Sequence, residues 1–169
     1  MTATVHKWND ADFLHAAYMV AIRESDDPDT TNGAIIVNQY GTLLGSGANS
    51  FPPGVTLNEV RLARPLKYEF MEHAERKAIY RAARSGNDTA GATLYCPYAC
   101  CHDCARAVIE CGITRVVADQ RLMDRAPDRW RASIDRGNVM LDEAGVRRTY
   151  LNVQFGGLVH RFDSADWCP

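Results

Sequence analysis

No stretch of the sequence approaches the roughly 18 to 20 consecutive apolar residues that a membrane-spanning helix needs. Its first ten residues, MTATVHKWND, carry no apolar segment of the kind that directs export. The resulting expectation is a cytoplasmic protein with no membrane partner. Internal repeats and low-complexity segments are also missing, which sets aside solenoids and disordered tails. So is any excess of positive charge: 19 basic residues against 21 acidic ones leave a net charge of −2. No overall field therefore draws the chain to nucleic acid, and no nucleic-acid partner is expected. Lysine is scarce, with 3 residues against 16 arginines, and guanidinium suits bidentate recognition of carboxylate or phosphate. What remains is ordinary globular composition, 46% hydrophobic and 24% charged over 169 residues. That is enough for one packed core, and the expectation is a single domain over residues 1–169.

Periodicity sets out the elements. Asn9 or Asp10 can cap a helix running to about Glu24, because Phe13, Leu14, Ala17, Val20 and Ala21 return at helical spacing. Two short apolar runs, 33–38 and 42–47, flank Gln39-Tyr40-Gly41 and predict a β-hairpin. Residues 48–66 hold Pro52, Pro53, Gly54 and Pro65 and predict a long irregular connection. Helices are then expected over 71–84, 101–111 and 128–144, and strands over 92–96, 113–118 and 146–153. Parallel strands need crossover helices. The order therefore predicts an α/β fold, a three-layer α/β/α sandwich around a mixed, mostly parallel sheet of about five strands.

Four of the six cysteines, Cys96, Cys100, Cys101 and Cys104, fall within nine residues. Such clustering in a chain without an export signal points to metal rather than to disulfides. Two segments carry the chemistry: His73-Ala74-Glu75 at the start of one helix and Cys101-His102-Asp103-Cys104 at the start of another. Zinc accepts both imidazole and thiolate, and an i, i+3 pair puts two sulfurs on one helix face. Helix N-termini further favour thiolates. One histidine and two cysteines make three ligands, leaving the fourth tetrahedral position for water, whose pKa the metal lowers from 15.7 to about 7. Glu75, two residues from His73, can shuttle the proton. Spacing alone does not choose between Cys100 and Cys101, since Cys100 and Cys104 also share a helix face at i, i+4. His102 points away from the shared face, and Cys96, Cys111 and Cys168 read as ordinary buried or peripheral thiols.

His73-Ala74-Glu75 followed by Cys-x-x-Cys resembles the zinc-dependent cytidine deaminase superfamily, with its H-x-E…P-C-x-x-C signature. More of the chain agrees with the deoxycytidylate deaminase branch. Lys67-Tyr68 precede HAERKAI, TLY (Thr93 to Tyr95) precedes the cysteines, and Cys104-Ala-Arg-Ala-Val-Ile leads to Cys111-Gly-Ile-Thr-Arg-Val-Val. The segment Gly47-Ala48-Asn49-Ser50-Phe51-Pro52-Pro53-Gly54-Val55 is similar to that branch's G-x-N-G-x-P-x-G loop. The resemblance spans roughly residues 33–117. It implies Zn2+ held by His73, Cys101 and Cys104, with alignment to TLY favouring Cys101 over Cys100. It implies Glu75 as general acid and base, Asn49 on the sugar and backbone near Ala74 on the pyrimidine edge. The implied reaction is hydrolysis of dCMP to dUMP and ammonia by a homo-oligomer. Three departures stand out: Cys100 where the family has Pro, Ser50 for the second Gly of the loop, and Lys77 for the Asn of HAE-x-N-A.

Bland readings compete at several positions. Arg61, Arg64 and Lys67 lie between the Asn49 loop and His73, where they meet a phosphate or form a solvated loop; Arg64 is the substrate candidate among them. Tyr98 and Phe51 stack on a base or pack in the core, and Tyr98 is carried as a substrate contact. Trp8, Trp130 and Trp167 are assigned to packing or an interface. Rival functions are deamination of another free base or nucleoside, nucleic-acid editing, which the net charge disfavours, and a non-catalytic zinc module.

Overall fold

A computed structural model describes residues 7–169. Helix α1 (Asp10–Glu24) opens on Asn9, whose side chain accepts from the Ala11 and Asp12 amides in a capping box closed by Asp12. Strands β1 (Gly33–Val37) and β2 (Leu43–Ala48) form the expected antiparallel hairpin, with a register shift between Ile36 and Val37. Short helices α2 (Glu59–Leu62) and α3 (Lys67–Phe70) follow, then α4 (Ala74–Arg84), β3 (Thr93–Tyr95), α5 (His102–Glu110) and β4 (Arg115–Asp119). The remainder is α6 (Gln120–Met123), α7 (Asp128–Glu143), β5 (Arg147–Leu151) and a hairpin of β6 (His160–Phe162) and β7 (Ala165–Trp167).

Five strands make one sheet in the order β2-β1-β3-β4-β5. The sheet is mixed: β1 pairs antiparallel with both β2 and β3, while β3-β4 and β4-β5 are parallel. Parallel pairing thus belongs to the second half, where α5 and α7 supply the crossovers. Alternation across the pleat sorts the core into two layers. Ile36, Leu94 and Val116 pack with Ala78, Val108 and Leu141 of α4, α5 and α7. Ile35, Val37, Tyr95 and Val117 face Leu14, Ala17 and Tyr18 of α1 on the other side. This is the three-layer arrangement expected from the sequence.

Differences in the elements have physical causes. The helix expected from residue 71 starts only at Ala74, because Glu72 is held extended in a β-bridge to Ser50, with both amides exchanged at 3.1 Å. His73 therefore becomes the N-cap of α4 rather than a residue inside it. Asp128 is the first helical residue of α7 and not its cap, since Pro127 holds the cap position. Within the connection over 48–66, Asn58 caps α2 through the Arg61 amide. The β6-β7 hairpin has no clear signal in the sequence: two three-residue strands with polar turns are too short for periodicity to show.

Two close approaches set the site. A Cβ on Gly47 would stand 2.7 Å from the Ala78 amide nitrogen, so bare backbone on β2 lets α4 lie directly on the strand. At Gly137 of α7 a Cβ would fall 2.7 Å from the Cys100 carbonyl oxygen, so this glycine seats α7 against the cysteine turn. Gly137→Ala should therefore cost stability, by about 1–3 kcal/mol of overpacking, although alanine is the better helix former by about 1 kcal/mol. Thermal unfolding reads the sign, and a stabilised variant would contradict the close packing.

Candidate metal centre and its cavity

Two helix N-termini converge at the end of β3. His73 caps α4, Cys101 caps α5, and Cys104 sits in the first turn of α5. Cys101 Sγ and Cys104 Sγ each lie 3.5 Å from His73 Nδ1, and the three donor atoms fall within 4.8 Å of one another, close enough to hold one metal ion. Cys100, the other candidate ligand, is 1% exposed and packs in the core with Leu94, Val116 and Leu141. The turn thus brings Cys101 to His73 and sends Cys100 into the protein. His102 bonds Ser133 through Nδ1 at 2.7 Å and takes no part in the cluster.

The electrostatics of the cluster suit a cation. The Cys101 thiol is pulled down to about 3, first by its hydrogen bond with Cys104, against burial, and then by His73. Burial works against protonation of His73, yet Cys101 and the charge of Glu75 raise it to about 9. Its bond with Cys101 and burial push Cys104 well above the usual thiol range. These shifts describe a Cys101 thiolate facing a protonated His73, so a bound metal ion would take the place of the imidazole proton. Glu75 is only 2% exposed, and its Oε2 is buried with no hydrogen-bond partner among the described residues. Burial pushes its carboxyl up, opposed by the His73 charge. A buried carboxylate oxygen without a donor costs free energy unless a ligand completes it.

The cluster opens onto a cavity of about 440 Å3, within the range of small-molecule sites. Its lining includes His73, Ala74, Glu75, Cys101, Asn49 and Tyr98, so the structure gathers these sequence candidates in one place. Asn49 is well held: Oδ1 accepts from Ser25 Oγ and the Asn32 amide at 2.7 Å each, and Nδ2 donates to the Thr30 carbonyl at 2.7 Å. One Nδ2 hydrogen remains for a ligand. Ala74 begins α4, where amides lack intrahelical acceptors.

Arg64 does not join them. It is absent from the lining and lies 3.4 Å from Asp29. Arg61 lies over the Phe70 ring at 4.5 Å, and Phe51 stacks on the same ring in a buried position. Lys67 does reach the cavity wall, but as a buried ammonium between Asp27 and Asp29. Trp130, expected only in packing or at an interface, lines the cavity beside Arg129. Sequence reasoning missed Asn32, Arg129 and Trp130 as lining residues. Arg129 and Trp130 arrive on α7, far along the chain from either motif, and no local signal marks them.

Two departures from the family pattern touch each other. Lys77 Nζ donates to Ser50 Oγ and, at 2.9 Å, to the Phe51 carbonyl. The lysine on α4 thereby pins the loop that carries Asn49, a contact that requires both altered residues.

Comparison with known proteins fits this geometry. A family model described as the cytidine and deoxycytidylate deaminase zinc-binding region matches residues 7–120. A deoxycytidylate deaminase from Pongo abelii is 29% identical over 163 residues, covering 93% of this chain and 87% of the relative. An "uncharacterized deaminase in luxG 3'region" from Aliivibrio fischeri is 32% identical over 127 residues, covering 75% and 83% respectively. The crystal structure of dCMP deaminase from the cyanophage S-TIM5 in complex with dCMP and dUMP superposes with a TM-score of 0.66 at 23% identity, covering 86% of this chain and all of that one. At that identity the likeness is one of fold. Among the described residues no helix is long and apolar enough to cross a membrane.

Proposed function

The chain belongs to the cytidine and deoxycytidylate deaminase zinc-binding family, a family of hydrolytic deaminases, and from that premise we propose that it converts dCMP to dUMP and ammonia with one bound zinc ion. The observation that carries the reading is the His73, Cys101 and Cys104 cluster with the unpartnered Oε2 of Glu75 in the same cavity. The donor set fits zinc. Tetrahedral bonds of about 2.3 Å to sulfur and 2.05 Å to nitrogen require a sulfur–nitrogen separation of about 3.6 Å, and both separations here are 3.5 Å. Three protein donors would leave one position open.

When bound, zinc lowers the pKa of water and so supplies hydroxide near neutral pH. The protein's own residues do the rest. Glu75 Oε2 takes a proton from water as the oxygen adds to C4 of the cytosine ring. The same carboxyl passes that proton to ring N3, then takes the remaining proton from the new C4 hydroxyl and gives it to the amine, so that the C4–N bond breaks, ammonia leaves and a C4 carbonyl forms. Burial of Glu75 keeps bulk water from competing for those protons. Asn49, fixed by Ser25, Asn32 and Thr30, presents its remaining Nδ2 hydrogen to a sugar hydroxyl. The amide end of α4 at Ala74 faces the pyrimidine edge.

Ammonia release measured side by side on cytosine, cytidine, deoxycytidine, CMP, dCMP and dCTP tests the reading. The highest kcat/KM is expected with dCMP. A maximum with a free base or nucleoside would replace the substrate, and silence on the whole panel from zinc-loaded protein would overturn the function.

A further inference from the structure

A nucleotide substrate brings a phosphate, and the three basic residues between the Asn49 loop and His73 are all engaged elsewhere. Lys67 is 2% exposed, with Nζ 2.9 Å from Asp27 and 2.8 Å from Asp29. Arg64 shares Asp29, so these four side chains form a closed, neutral set. Arg61 is held over Phe70 and by the Thr56 carbonyl, away from the cavity.

Arg129 is different. It stands in the first turn of α7 and lines the cavity, with its guanidinium 4.7 Å over the Trp130 ring. Its Nη2 donates to Asp163, while Nε and Nη1 have no partner among the described residues. Next to it is a second free donor. Tyr98 lines the same cavity, and its hydroxyl is buried without a hydrogen-bond partner among the described residues. Burial pushes that phenol up, opposed by the Arg129 charge, so it keeps its proton throughout the neutral range.

Both groups are braced by the β6-β7 hairpin. Phe162 packs 5.5 Å from the Tyr98 ring and 6.2 Å from Trp130. The turn behind it is tied to the cavity rim, where the Asp163 amide donates to Thr30 Oγ1 at 3.0 Å and the Ser164 amide to the Asp29 carbonyl at 2.8 Å. Asp163 can therefore hold one end of the guanidinium and leave the other edge facing the cavity.

We propose that Arg129 and Tyr98, braced by Phe162 and Asp163, form the subsite for the substrate's 5′-phosphate. This makes the C-terminal hairpin part of the specificity apparatus. The inference rests on the nucleotide reading above. A guanidinium edge donates two parallel hydrogen bonds to phosphate oxygens, and the phenol adds a third. Asp163 offsets part of the arginine's charge, so the expected discrimination is tens of fold rather than thousands.

The test is steady-state kinetics on dCMP and deoxycytidine with the zinc-loaded full chain, for wild type, Arg129→Ala, Arg129→Lys and Tyr98→Phe. Metal content and melting temperature are measured on each. The readout is the ratio of kcat/KM for dCMP to that for deoxycytidine. It is expected to fall about 30-fold in Arg129→Ala and about 5-fold in Tyr98→Phe, mainly through KM for dCMP. Arg129→Lys, which keeps the charge without the fork, should recover part of the loss. Arg136→Ala, on an exposed part of the same helix, is the control and should leave the ratio unchanged. Equal losses on both substrates, or an unchanged ratio in Arg129→Ala, would overturn the subsite. Tyr98→Phe keeps the ring and so decides the matter even if the arginine variants fold poorly. A wild type that deaminates deoxycytidine as well as dCMP would instead remove the nucleotide reading itself.

Discussion

Glu75→Gln is expected to keep its metal and its fold while deamination drops about a thousandfold. The carboxyl is 2% exposed and carries an oxygen without a partner, so it is the group in the cavity still free to accept a proton. The other carboxylates, the imidazole and the thiol in the lining are engaged. Asp27 holds Lys67, Asp103 pairs with Arg106 and lies 3.8 Å from Arg76, and His73 and Cys101 belong to the proposed metal cluster. Glutamine has the same shape and can still hydrogen-bond, but it cannot relay protons between water, ring and amine. Because the change removes a buried charge rather than a packed group, the melting temperature should hold or rise. Ammonia release with elemental analysis checks both halves. Turnover within tenfold of wild type would refute the assigned role, and loss of metal would make Glu75 part of the binding set instead.

Replacing Cys101 by alanine is expected to abolish metal retention through dialysis, and activity with it. Cys100→Ala should keep both and lose only about 1 kcal/mol of packing. The two neighbours differ in environment, not in chemistry. Cys101 caps α5 with its sulfur 3.5 Å from His73 Nδ1, and its thiol is pulled down to about 3 by its bonds with Cys104 and His73. Cys100 is 1% exposed among apolar side chains, and burial pushes its thiol far up, so it has little tendency to ionise toward a metal. Metal content measured on both variants decides between them. Loss from Cys100→Ala with retention in Cys101→Ala would reverse the ligand assignment.

Lys77 and Ser50 show how a departure from a family pattern can be absorbed. Each is unexplained alone, since a buried lysine costs desolvation and a serine in place of glycine adds bulk to a tight loop. Together they form one contact, in which the ammonium donates to the hydroxyl and to the Phe51 carbonyl and fixes the strand leading from Asn49.

The sequence by itself determined which donor groups are offered and how the layers stack. His73-Ala74-Glu75 and the Cys101 to Cys104 turn announce their donors because ligand type and i, i+3 spacing are local properties of the chain. Short continuous apolar runs bounded by turn residues place the strands, because helices cover both faces of the sheet. Spacing left Cys100 and Cys101 open and only the family resemblance favoured Cys101; the tertiary structure shows that the turn directs the Cys101 sulfur to His73. It also decided where α4 begins, because the Ser50–Glu72 bridge overrides the helical pattern ahead of Ala74. Above all, it decided which cation faces the cavity. Arg64 is nine residues from His73 and lies outside the lining, while Arg129, fifty-six residues from His73, lies within it. Nearness along the chain carries ligand spacing within one helical turn. The wall of a cavity, by contrast, is assembled by long-range packing of α7 and the β6-β7 hairpin, which no short window of sequence encodes.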